Sequence, residues 1–264
     1  MCDLYENSQI RGIVGSVGGR ITKYFSVFFA CSSPNIFYHQ IMEAIGFMFG
    51  SNRGRTSKIF HYGEHAIVLN FIDDDPGHVQ SGLYLWPAAD TLCHYILEFF
   101  RTYSVDLVIE LGAGCGLVGL LTSKLPGNNG VILTDYDPGS IEVLCENVDA
   151  NLCDAVCPIY VEQLEWGERL TNFLMEKLLT LGSHQILVAG SDLLYCVSIV
   201  RPLFCTVVDI LKSRKGSFIL STSFDVGDDI EKAVFSICEK NLIRYRFVNE
   251  TNKLSSNICI FELV

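Results

Sequence analysis

A chain of 264 residues, 49% hydrophobic and 19% charged, carries enough apolar side chain for one α/β domain with an extension, or for two small domains. A net charge of −11 and a pI near 4.9 weigh against a phosphate-backbone ligand, which calls for a basic face, and suit a basic protein substrate. Eleven cysteines, an odd number set mostly in apolar stretches, read as free thiols of a reducing compartment: the cytoplasm, with the nucleus as the alternative.

Residues 1–57 differ in texture from the rest and read as an extension to a domain spanning 58–264. They hold a glycine-rich run, Gly12–Gly19, an aromatic run, Tyr24–Phe29, and a helix-like stretch, Phe37–Gly50. Ile21–Phe37 is apolar but interrupted by Lys23, Pro34 and Asn35, short of the roughly 20 apolar residues of a spanning helix, so no membrane partner is expected. Lys58–Tyr62 and Ala66–Ile72 read as strands, and Asp73–Gly77 as a turn. Ala88–Arg101 has helical apolar spacing.

A regular alternation follows. Strands are expected at Val105–Leu111, Gly130–Thr134, Ala155–Val161, Gln185–Ala189 and Ser217–Ser221. Helices are expected at Leu117–Lys124, Pro138–Ala150, Leu170–Leu181, Val197–Ser213 and Ile230–Asn241. Such alternation implies a parallel sheet with helices on both faces. The chain closes with Ile243–Val248 and Asn257–Leu263, too near one another for a parallel crossover, so they pair antiparallel. No metal is expected. Cys153 and Cys157 lack a second pair, and His61 and His65 have helical ligand spacing on what reads as strand.

The chemistry concentrates in Val108-Ile-Glu110-Leu-Gly112-Ala-Gly114-Cys-Gly116-Leu-Val-Gly119, at a strand-to-helix junction. Glycines there permit a tight turn and a close backbone approach to a ligand. Gly114-x-Gly116-x-x-Gly119 also fits a dinucleotide fingerprint, but Glu110 would repel a pyrophosphate. A carboxylate before the glycines favours S-adenosylmethionine, which carries an amino group and a sulfonium. The second acid, Asp135, ends the next strand where a carboxylate accepts ribose hydroxyls, while Asp137, before Pro138, caps the following helix.

These segments together resemble the family-16 group of seven-β-strand methyltransferases, which holds many protein-lysine methyltransferases. The resemblance runs from about Ile59 to the C-terminus. It rests on Gly82-Leu-Tyr-Leu-Trp86-Pro-Ala-Ala, Glu110-Leu-Gly-Ala-Gly-Cys-Gly, Leu133-Thr-Asp-Tyr-Asp, Leu164-Glu-Trp166-Gly and Gly190-Ser-Asp192-Leu-Leu-Tyr195, in that order. It implies a Rossmann-like class I fold with a mostly parallel seven-stranded sheet. It implies Trp86 beside the methionine end of the cofactor, Trp166 bordering the adenine, Ser191 among the cofactor contacts, and Asp192 and Tyr195 shaping the methyl-acceptor site. The implied activity is S-adenosylmethionine-dependent methylation of a lysine on a protein, Asp192 holding the incoming ammonium and Tyr195 facing it. The D-x-x-Y segment is also similar to the D-P-P-Y motif of amide and base methyltransferases, but Leu193 and Leu194 replace both prolines. A non-catalytic interaction module is the other alternative, opposed by the intact Glu110, Gly112, Gly114, Gly116 and Asp135. An NAD-dependent oxidoreductase would need a Tyr-x-x-x-Lys, which the chain lacks.

Overall fold

The computed structural model describes residues 55–73, 82–181, 185–212, 214–249 and 253–264. The readings of residues 1–54, and of the turn beyond Asp73, lie outside these residues. The described chain opens with an antiparallel hairpin, β1 (Arg55–Tyr62) and β2 (His65–Ile72), which forms a sheet of its own. Gly63, at φ +61, makes the left-handed turn between them. β1 begins at Arg55 rather than at Lys58, because Arg55, Thr56 and Ser57 find ladder partners in Ile72, Phe71 and Asn70. Ile67, Leu69 and Phe71 alternate inward from β2 and are buried, as period-two patterning requires. His61 pairs with Ala66 and His65 with Tyr62, so the two histidines stand on opposite faces of the hairpin.

The main sheet has strands β3 (Leu107–Glu110), β4 (Gly130–Asp135), β5 (Ile159–Gln163), β6 (Gln185–Ser191), β7 (Lys215–Ser221), β8 (Ile243–Phe247) and β9 (Ile258–Leu263). Their spatial order is β5-β4-β3-β6-β7-β9-β8. The first five are parallel to one another; β9 enters antiparallel between β7 and β8, so the expected closing pair is present as Ile243 opposite Leu263. Helices α1 (Pro87–Thr102), α2 (Leu117–Thr122) and α3 (Pro138–Asn151) cover one face. Helices α4 (Asn172–Thr180), α5 (Val197–Leu211) and α6 (Asp228–Lys240) cover the other. The strands serve both: Val108, Leu187 and Ile219 belong to the first apolar layer, while Leu107, Ile109, Val188 and Phe218 belong to the second. No described helix is long and apolar enough to cross a membrane.

β5 corrects the expected strand at Ala155–Val161, lying instead at Ile159–Gln163. Pro158 has no N–H for a ladder, and its carbonyl accepts from Val131 at the strand's start. Val156 is exposed and donates to the Ser123 carbonyl, so the residues before Pro158 serve as a connection.

The hairpin is fastened to the domain by side chains that imitate peptide groups. On α3, Asn147 and Asn151 are four residues apart and share a face. Asn147 accepts from Asn70 N at 2.7 Å and donates to Asn70 O at 3.0 Å; Asn151 does the same to Val68 at 3.0 and 2.7 Å. Asn147 also donates to the Cys115 carbonyl at 2.9 Å, so one carboxamide joins hairpin, α3 and glycine loop. Lys124 continues the row, donating to Ala66 O at 2.6 Å while paired with Asp154. Asn147→Ala would leave several buried backbone groups without partners and is expected to destabilise the domain by about 2–4 kcal/mol. The effect should read as a lower urea midpoint at unchanged slope.

Candidate active site

Strand order reverses between β3 and β6, so their carboxyl ends open a crevice between diverging connections, the place where open α/β sheets bind ligands. The glycine loop leaves β3 into that crevice. Gly112, Gly114 and Gly116 lie at φ +56, +53 and +83, all left-handed. Gly114 has a further constraint: a Cβ on it would come within 2.8 Å of the Gly82 carbonyl oxygen. The segment before α1 is thus laid directly on the loop, with Cys115 Sγ donating to the same carbonyl. This contact carries the Gly82–Trp86 segment to the crevice.

Glu110 is 2% exposed, and its Oε2 accepts from Gly119 N at 2.8 Å, at the free N-terminus of α2. Asp135, at the end of β4, accepts from Gly114 N at 2.9 Å and from Asp137 N at 3.0 Å. Burial raises both carboxyls above the usual range, Glu110 to about 8, and the negative charge of Asp135 adds to the rise at Glu110. None of the described ion pairs reaches either residue. Two buried acids without a cation form a donor set that a pyrophosphate would make worse and a cationic ligand would relieve. The residues present therefore fit S-adenosylmethionine and oppose a dinucleotide. Asp137 is the α3 cap expected from sequence, accepting from Ser140 N at 2.7 Å.

Glu110 has a consequence for stability. Between about pH 4.5 and about 8 the folded state holds a proton that the unfolded state has released. The Glu110 contribution is therefore full below the lower value and is lost as pH rises through the upper one. Glu110→Gln should flatten that decline, by a few kcal/mol in order of magnitude, in melting curves taken across the window.

Trp166 is brought to the loop: a Cβ on Gly112 would lie 3.0 Å from its Cζ2 and 2.7 Å from Leu193 Cδ2. Its turn is held by the next residue. Gly167, at φ +86, packs so tightly on α5 that a Cβ would meet Pro202 at 3.2 Å, and its N–H donates to Thr206 Oγ1 at 2.9 Å. Trp86 stands at the start of α1 with extended backbone, before Pro87 at the first helical position. Ser191 closes β6 opposite Ser221 of β7.

Asp192 follows at φ +53, a left-handed conformation that few residues other than glycine, asparagine and aspartate adopt. It is 8% exposed, and its carboxylate accepts from Ala88 N at 3.1 Å, Ser223 N at 2.7 Å and Ser223 Oγ at 2.7 Å. It thereby fixes the N-terminus of α1, and with it Trp86, to the ends of β6 and β7. Three bonds take three of about four acceptor positions on a carboxylate. Leu193 and Leu194 are buried, and Tyr195 is 42% exposed. Burial raises the Tyr195 phenol, Cys196 and Asp135 adding to the shift, so the hydroxyl keeps its proton at neutral pH.

Ser223 and Phe224, absent from the sequence reading, help wall a cleft of about 350 Å³ beside Trp86. That cleft is lined by Phe71, Asp73, Tyr84, Trp86, Ser223 and Phe224, among others. The one available signal for Ser223 was its place just past a strand's carboxyl end.

The profile of a family described as lysine methyltransferase matches residues 67–240. Protein N-lysine methyltransferase METTL21A of Danio rerio is 37% identical over 146 residues, covering 53% of this chain and 59% of that protein. EEF1A lysine methyltransferase 3 of Xenopus tropicalis is 33% identical over 162 residues, covering 61% of this chain and 66% of that one. The chain thus spans less than two thirds of the length of either relative. Among solved structures, the small RNA methyltransferase HEN1 aligns with a TM-score of 0.51 at 12% identity, over 72% of this chain and 27% of that one. That likeness concerns the fold.

Proposed function

The chain belongs to the lysine methyltransferase family, and from that premise we propose that it transfers a methyl group from S-adenosylmethionine to a lysine of a protein substrate. The observation that carries the cofactor is the pair of buried carboxyl groups, Glu110 and Asp135, flanking a left-handed glycine loop without a cationic partner among the described ion pairs, both held above the usual carboxylate range until a cationic ligand favours their ionisation. When bound, S-adenosylmethionine supplies an electrophilic methyl group. The glycine loop and Asp135 bind it, Trp166 and Leu193 wall the apolar end of the crevice, and Ser191 borders it. An acceptor amine has a pKa of about 10.4 and must arrive deprotonated or lose its proton there. Asp192, already held by three donors, orients the amine through its remaining acceptor position and passes no proton itself; the proton goes to water. Tyr195 offers the amine its ring and hydroxyl. The buried side chains of Leu193 and Leu194 support an amine over a planar amide or base, because they pack inward and form part of the core.

The test is incubation of the full chain with labelled S-adenosylmethionine and a cell lysate, followed by identification of the labelled species. Label on a lysine supports the reading. Label confined to RNA or to small molecules, or no label despite cofactor binding, overturns it.

A further inference from the structure

We infer that Asp73 and the aromatic-walled cleft beside it form a docking subsite for a basic side chain of the substrate, and that Lys58 of this chain holds Asp73 until a substrate displaces it. The inference rests on the reading of the substrate as a lysine-bearing protein. It begins from a lysine in an unusual row. Lys58 pairs directly with Leu69, and directly opposed residues share a face. Its row is therefore the inward one, with Phe60, Tyr62, Ile67, Leu69 and Phe71. A cation in that row needs a reason, and its surroundings provide one. Lys58 Nζ lies 2.6 Å from Asp73 Oδ2 and 5.5 Å from the centre of the Phe71 ring. A carboxylate with an aromatic face beside it is the combination that selects an ammonium group.

The cleft continues from that point toward the acceptor site. Phe71, Asp73, Tyr84 and Phe224 line it. Trp86, Pro87 and Ser223 connect it with the Asp192 clamp, because Ser223 and the residue after Pro87 are both held by that carboxylate. A segment lying in the cleft would thus place one basic side chain against Asp73 and a neighbouring one toward Asp192. Charge favours such an occupant, the chain carrying −11 overall. The resident pair can yield: Lys58 and Asp73 are 49% and 51% exposed, and an ion pair so open to water exchanges readily with other cations.

The experiment titrates hexalysine into the full chain by calorimetry. Asp73→Asn is expected to weaken binding about five-fold, and Lys58→Met, which removes the competing ammonium but keeps the stem, to tighten it about three-fold. The control is the Asp209–Lys212 pair, joined at 2.7 Å and similarly exposed near the C-terminal end of α5. Asp209→Asn and Lys212→Met make the same charge changes there and should leave the affinity unchanged. If Asp73→Asn has no effect, or Asp209→Asn weakens binding equally, the subsite is overturned and only net charge is at work. Melting curves of each variant verify the fold. Methyl transfer is read separately: hexalysine that binds through Asp73 while no lysine in a lysate accepts label overturns the proposed activity and leaves the subsite standing.

Discussion

Replacing Asp192 with alanine is expected to abolish methyl transfer and to lower the unfolding free energy by about 2–4 kcal/mol, since buried N–H donors lose their acceptor. The donors are Ala88 N and Ser223 N, with Ser223 Oγ as a third partner that can turn elsewhere. Alanine also tolerates φ +53 poorly. Both effects act on the same place: the start of α1 loosens from β6 and β7, and Trp86 with it. Asp192→Asn separates them. Asparagine accepts the left-handed backbone and retains one oxygen, but its NH2 group meets a donor where the carboxylate met one. It should keep most of the stability and still lose most of the activity. Calorimetric affinity for S-adenosylmethionine, measured beside turnover and urea unfolding, decides the matter. If Asp192→Asn turns over at the normal rate, the carboxylate serves the fold alone.

The second large effect concerns Gly114. Gly114→Ala should reduce cofactor affinity on the order of 10- to 100-fold, corresponding to about 1–3 kcal/mol of local strain. The comparison that isolates the cause is Gly63→Ala. Gly63 has nearly the same backbone, φ +61 against +53, yet a Cβ there meets nothing within 4 Å. Its cost should be confined to the left-handed penalty, about 1 kcal/mol of stability, with cofactor affinity unchanged. At Gly114 the new methyl lands 2.8 Å from a backbone carbonyl, that of Gly82, which no side-chain rotation relieves. The loop must then part from the Gly82–Trp86 segment. Equal losses of cofactor affinity in the two variants would refute the close approach as the cause.

Most of the sheet was legible because both faces of a parallel strand are buried and its apolar run is nearly continuous, as in Leu107–Ile109 and Ile186–Ala189. The glycine loop was legible for a different reason: its chemistry lies in consecutive residues, so spacing alone carries Glu110, Gly112, Gly114 and Gly116. What escaped notice depends on long-range pairing. Ser223 meets Asp192 across 31 residues of chain, through the alignment of β6 with β7. Asn147 and Asn151 resemble any polar pair on a helix, yet both are buried, because their partners are the backbone of a hairpin 77 to 83 residues earlier. The start of β5 lies later than its sequence suggests because Val156, β-branched and apolar, looks strand-forming in isolation. Pro158, two residues on, was the cue to shift it. Asp192 stands out in sequence by its motif, but the three donors around it, and hence its service to α1, come from elements far apart in the chain.

The carboxamides of α3 have one more effect. A two-stranded hairpin normally leaves a free edge, and a free edge invites a strand from another molecule. On β2 that edge is already saturated: Val68 and Asn70 give both their N–H and their carbonyl to Asn151 and Asn147, and Ala66 gives its carbonyl to Lys124. A foreign strand would find these groups already engaged. Two asparagines and a lysine thus guard the β2 edge of an apolar hairpin against pairing with another chain.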